Sequence, residues 1–306
     1  MKFCSDLSSS KLICSELTVA DYKQILKCSF GDEPDIELFS ETICDVIGKL
    51  TSKSTEFIKS LPMSDVLCIL IDLRLKSMGD VVTVSLKNNE KQMSLDLNLS
   101  TIQEDIKQFY KPFCCSKIVQ KDLEIVLSIP SIEMLSTKTN EEYLYFIKSV
   151  LSKKNSFEIS NVEEASALFE KISAKTASQI ISHCGQFIES VRELNLLNRY
   201  EGIEQKLGFV PTIENLLWFV KLLFNEPLDA FYDNIFYLAK HVNMSAEYIE
   251  SCTPGEYIYF TKKLEASIAA QNQGREQQTD YQQSSDQFPE DLRDEVAGDD
   301  DGFVDL

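Results

Sequence analysis

Six consecutive apolar residues, Val66 to Ile71, constrain this chain more than any other feature. No solvent-facing surface carries such a run, so the segment must be buried on every side. The residues after it turn polar abruptly. Asp72, Arg74 and Lys76 alternate with Leu73 and Leu75, Gly79 comes next, and Val81-Val82-Thr83-Val84 has strand chemistry. The pattern predicts a mostly buried helix that starts after Pro62, stops at Gly79, and turns directly into a strand. Glycine suits the stop because positive φ costs it no Cβ clash. Ser64 is the expected N-cap. A helix-to-strand joint of this kind ties a domain together.

Before the joint, Lys11 to Leu17 alternates as a short strand would. Thr18-Val19-Ala20-Asp21 resembles a capping box with Asp in place of Glu, and opens a helix to about Cys28. Gly31-Asp32-Glu33-Pro34 is a turn. Ile36, Phe39, Ile43, Val46, Ile47 and Leu50 then recur at helical spacing. After Gly79 the period changes to two. Val82, Val84 and Leu86, then Met93, Leu95, Leu97 and Leu99, flank Asn88-Asn89 and predict a β-hairpin. A short helix from Thr101 to Phe109 and a strand over Leu123 to Ile129 complete an α+β domain, residues 1–135, of helices plus a small antiparallel sheet.

From there the expectation is helical. Asn140 is read as the cap of a helix from Glu141 to Leu151, and Asn161 with Glu164 as the cap of another. A longer helix is expected from Ala174 to about Leu197. Thr212 to Phe224 is apolar all round and should be the central helix of an all-α domain, residues 136–270. Pro227, Ser245 and Thr253-Pro254-Gly255-Glu256 each announce a further helix.

Beyond Ala270 the composition collapses, with seven glutamines between Gln271 and Gln287 and acids thereafter. Residues 271–306 carry 11 Asp or Glu against 2 Arg and read as a disordered acidic tail. Phe288, Leu292 and Val296 recur every four residues, and Phe303 and Leu306 punctuate the last acidic run. These five are the candidate partner-docking residues of a segment that folds on binding. The plainer account is that acids keep the tail solvated and its apolar residues are incidental.

The whole chain has net charge −19, and body and tail are both acidic. Neither offers the basic stripe that nucleic-acid backbones require, so no nucleic-acid role is expected. No run approaches the ~18 apolar residues of a membrane span. Nine scattered cysteines, without Cys-x-x-Cys, suit free thiols in a reducing cytosol.

Chemistry is scarce. The phosphate-loop, dinucleotide, zinc-protease and nucleophile-elbow motifs are all missing. His183 and Cys184 are adjacent on a predicted helix, about 100° apart, and so cannot face each other as base and nucleophile. Cys114-Cys115 lacks the paired spacing of a zinc site, and apolar filler is the better account. Asp72 and Lys76 are expected to form an i, i+4 pair, with Arg74 pinning a nearby carbonyl or acid. No catalytic residue, cofactor or metal ligand is assigned. A binding role is expected, not an enzyme.

Leu73-Arg74-x-x-Ser77-x-Gly79, after an apolar helix and before a hairpin, resembles the baseplate hub assembly proteins of T-even-type contractile-tailed bacteriophages. Glu16-Leu17-Thr18-Val19-Ala20-Asp21-Tyr22-Lys23 is similar to that family's first-helix entry. The resemblance spans Lys11 to Leu99 and thins through the helical half. It implies a non-enzymatic hub assembly factor or hub subunit, acting in the host bacterial cytoplasm or in the virion tail baseplate. Its implied partners are other baseplate hub proteins, and Arg74, Ser77 and Gly79 are implied as structural signature positions. Two other classes stay open: a regulatory protein whose acidic C-terminal peptide docks on a replication or transcription component, and an acid-dependent hydrolase.

Overall fold

The computed structural model describes residues 12–30, 34–88, 91–114, 116–120, 122–152, 155–193 and 208–285. The chain divides into two units, residues 1–257 and 258–306. The first unit begins with α1 (Val19–Ser29), α2 (Ile36–Thr51), α3 (Thr55–Lys59) and α4 (Met63–Met78). The capping box at Thr18 forms as its residue types dictate. The Thr18 hydroxyl accepts from Asp21 N, and the Asp21 carboxylate accepts from Thr18 N. Val66 to Ile71 are all buried. Each large aliphatic side chain taken out of water there contributes about 1.5–3 kcal/mol, which makes α4 the central rod of this layer.

The hairpin β1 (Val81–Asn88) and β2 (Lys91–Asn98) pairs antiparallel with Val81 opposite Asn98. It leads into α5 (Leu99–Tyr110), capped by Asn98. A second sheet comes next, with strand order β3 (Ser116–Gln120), β4 (Leu123–Leu127), β5 (Ile147–Ser152) and β6 (Ser156–Glu158), all antiparallel. The short helix α6 (Ile132–Leu135) lies in the β4–β5 connection. Helices α7 (Val162–Phe169), α8 (Ala174–Glu193), α9 (Ile213–Leu223), α10 (Leu228–Val242) and α11 (Ala246–Ser251) complete this unit's order. The N-terminal region is thus α and β with small antiparallel sheets, and helices come after it.

Four local expectations are corrected. Residues 12–17 pair in no strand, although Leu12, Cys14 and Leu17 are buried and Ile13 is 76 % exposed. The segment lies directly on helices, and its amides find other acceptors: Ser15 N donates to Leu50 O and Leu17 N to Ser77 Oγ. Ser64 is not the cap of α4. Pro62 occupies that place in an extended conformation, bridged to Ser131, and Ser64 is buried in the first turn.

The helix expected over 141–151 is a short 3₁₀ turn, Glu142–Phe146, which leads into β5. Tyr143, Leu144, Ile147 and Val150 recur at helical spacing, and the unsatisfied edge of β4 overrides that period in favour of the strand. Finally, α9 is not enclosed all round, since Trp218 is 44 % exposed.

Two aromatic clusters hold the helices of the first unit. Tyr22 of α1 packs on Phe224 and Phe231, with ring centroids 6.0 and 5.8 Å away, and Phe231 packs on Tyr257 at 5.4 Å. Phe187 of α8 meets Phe113 at 4.4 Å, Phe146 at 5.4 Å and Tyr110 at 5.9 Å, which seats α8 against the second sheet. The last helix, α12 (Pro254–Ser285), opens on the Thr253–Glu256 box and runs past residue 270, where composition predicts the tail to begin. In the second unit its Tyr259 is exposed. Phe288, Leu292, Val296, Phe303 and Leu306 lie outside the described residues.

Candidate functional site

The polar end of α4 collects long-range hydrogen bonds. Arg74 is 7 % exposed and directs its guanidinium at three carbonyls. Nε donates to Leu223 O at 3.0 Å, Nη1 to Gly79 O at 3.1 Å, and Nη2 to Val81 O at 3.4 Å. One side chain thereby joins the end of α9, the stop of α4 and the start of β1. Burial lowers the Arg74 pKa, and the guanidinium keeps its charge because it starts so high. Two residues on, Lys76 Nζ donates to Cys14 O at 2.7 Å. Ser77 Oγ accepts from Leu17 N at 2.8 Å.

Gly79 has φ 101° and ψ 177°, an extended left-sided conformation that essentially only glycine adopts without strain. The expected Asp72–Lys76 pair does not form. Asp72 accepts instead from Gln103 Nε2 at 2.8 Å, which also donates to Cys68 O. Arg74, Ser77 and Gly79 are therefore brought together with the entry segment, the hairpin and α9.

Beside this joint sits a second polar group that the residue pattern did not single out. Glu226 Oε1 accepts from Tyr257 OH at 2.9 Å and from Asn234 Nδ2 at 3.1 Å. Burial, and then the charge of Glu226, push the Tyr22 hydroxyl well above the ordinary tyrosine range. Tyr22, Glu226 and Tyr257 are far apart in sequence, so no motif marks them.

The remaining candidates come apart. Cys184 is buried with its Sγ 4.0 Å from Tyr143 O, while His183 faces the Phe113 ring at 6.1 Å. Cys114 is buried with its Sγ 4.0 Å from Ser64 Oγ, and Cys115 lies outside the described residues. Among the described residues no group of three or more His, Cys, Asp or Glu could hold a metal ion, and no helix is long and apolar enough to cross a membrane.

A cavity of about 260 Å³ lies between the second sheet and the α3–α4 turn, with Ser128, Tyr145, Lys148, Glu133 and Glu158 in its lining. Both glutamates are exposed. They lack the burial that drives the roles of paired catalytic carboxylates apart.

The surface is more informative. Among the described residues α10 buries only Phe231 and Leu238, while Tyr232, Phe236, Tyr237 and Val242 are exposed. Aromatic surface of this kind is what protein–protein interfaces enclose.

A family model described as T4 bacteriophage base plate protein matches residues 1–200. No curated protein and no solved structure matches the chain. The matched region contains α1 to α8 and the residues Arg74 to Gly79, though not Leu223 of α9, and it covers 200 of the 306 residues. This protein therefore belongs to the T4-type bacteriophage base plate protein family.

Proposed function

We propose that the protein helps assemble the central hub of the phage tail baseplate, through protein–protein contacts and without catalysis. Membership of the base plate family is the observation that carries this reading. The joint at Arg74 supports it, because its polar groups are engaged by backbone and serve position rather than reaction. Arg74, Ser77 and Gly79 act in this proposal as structural signature positions. The partners are other hub proteins, met in the host bacterial cytoplasm, and the acidic segment with Phe288, Leu292, Val296, Phe303 and Leu306 supplies a further docking element.

The test is affinity capture of the full chain from infected cells, with the bound proteins identified by mass spectrometry. Recovery of baseplate hub components is the expected result. Recovery of polymerase or clamp subunits, with tails assembling normally in the protein's absence, overturns the proposal.

A further inference from the structure

The first strand of the four-stranded sheet borders an open groove. β3 is an edge strand: β4 pairs with one side of it, and among the described residues no strand pairs with the other. Alternate residues of such an edge turn their N–H and C=O groups outward. A groove of about 520 Å³ runs between this strand and α8. Lys117, Ile118 and Val119 all line it. Successive side chains of a strand point to opposite faces, so a groove that meets three in a row tracks the strand's edge.

The opposite wall is one stripe of α8, at positions 178, 179, 182, 183 and 186. The other face of that helix, with Ile180, Cys184, Phe187 and Val191, is turned into the core. The helix is therefore held firmly while its polar stripe stays open.

We infer that this groove takes an extended segment of a partner protein as a fifth strand, added to β3 and flanked by α8. The geometry is that of strand addition, in which main-chain hydrogen bonds give affinity and the bordering side chains choose the sequence. The charge of the groove selects an acidic segment. The chain as a whole carries 49 Asp and Glu against 30 Lys and Arg, yet none of the groove's lining residues is acidic, and Lys117 and His183 belong to it. Lys117 is paired with Glu124 of β4 at 3.0 Å, but both side chains are exposed, and such pairs are weak enough for an incoming carboxylate to share the ammonium. Ser178, Gln179, Ser182 and Gln186 offer hydroxyl and amide donors to the same carboxylates. The occupant is thus a β-forming stretch in which Asp or Glu alternates with residues such as Val.

The inference rests on the assembly reading and names one surface through which it acts. Its test uses the purified full chain and two labelled hexapeptides, acetyl-Asp-Val-Asp-Val-Asp-Val and acetyl-Lys-Val-Lys-Val-Lys-Val. Fluorescence anisotropy is expected to show binding of the acidic peptide, with the basic one weaker by about tenfold or more. Gln179→Glu, an exposed change on α8, should weaken the acidic peptide by about tenfold through like-charge repulsion. Val119→Pro should weaken both peptides by obstructing the ladder.

Hydrogen exchange should show new protection of the β3 amides when the acidic peptide is bound. Absence of binding by the wild-type chain, equal affinity for the two peptides, or protection confined to other elements overturns the inference. A chain that ignores the peptide but still captures hub proteins defeats the groove alone. One that takes the peptide and captures no hub protein defeats the assembly reading alone.

Discussion

The carbonyl oxygen of Ser77 lies 2.7 Å from the place where a Cβ on Gly255 would stand. The end of α4 and the first turn of α12 approach so closely that only a hydrogen fits between them. The obstacle is backbone on both sides and cannot swing away. Ser77 is held from its other side by Leu17 N, which donates to its hydroxyl. Gly255→Ala should therefore destabilise the protein by about 1–3 kcal/mol, the usual range for forced overpacking. A thermal melt monitored by circular dichroism reads this directly, and a variant as stable as wild type contradicts the contact.

Arg74 is the other fixed point of the joint. Removing its side chain strands the buried carbonyl of Leu223 and takes a donor from the carbonyls of Gly79 and Val81, both at exposed residues. Arg74→Ala should cost about 2–4 kcal/mol in urea unfolding, as expected for the loss of one buried and two part-buried charge-assisted hydrogen bonds. Arg74→Lys should recover less than half of that loss, because a single ammonium cannot reproduce the planar fork. Equal stability of the Lys variant and wild type would show that charge alone matters here.

Asp21 makes stability depend on acid. Burial raises its pKa, but hydrogen bonds from Lys49 and Thr18 outweigh burial and hold the carboxyl below the ordinary aspartate value. A lowered folded pKa stabilises the protein fully above the unfolded pKa, about 3.9. That contribution is lost as pH falls from there through the lower folded value. The stability difference between wild type and Asp21→Asn should accordingly be constant from neutral pH down to about 5 and shrink at more acid pH. A difference that grows on acidification reverses the assignment.

Three thiols should be inert in the folded chain. Burial pushes Cys14 up to about 11, and Cys44 and Cys184 up to about 12. Thiolate is the reactive form, so maleimide at neutral pH should leave these three unmodified until denaturant is added. Peptide mapping by mass spectrometry checks each one. Labelling of Cys44 under native conditions would show that α2 opens locally.

Much of the fold was legible because the signals are short-range. The boxes at Thr18–Asp21, Asn161–Glu164 and Thr253–Glu256 satisfy orphan amides within three residues, so residue type alone locates those helix starts. The buried run of α4 and the period change after Gly79 are equally local. The strand β5 was not legible. Its apolar residues recur at helical spacing, and its conformation depends on β4, twenty or more positions away, offering an open ladder. Residues 12–17 show the converse, an alternating pattern whose amides are taken up by Leu50 and Ser77 instead of a strand.

The candidate site divides in the same way. Arg74, Ser77 and Gly79 stand out in sequence through their spacing behind an apolar helix, and that spacing also carried the family resemblance. Their contacts do not stand out. The acceptor of Arg74 Nε is 149 residues along the chain, and Glu226 gathers Tyr257 and Asn234 without any motif. The groove between β3 and α8 exists only because two segments, separated by the β4–β6 strands and α7, are packed side by side.

The amino-acid sequence alone determined where helices begin and which run is buried, since caps and hydrophobic periods act over one or two turns. Tertiary structure alone decided which carbonyls Arg74 holds, that β5 is a strand and which edge stays open. Those choices depend on groups far apart in the chain, each of which loses solvent and must find its partner only when the packed layers meet.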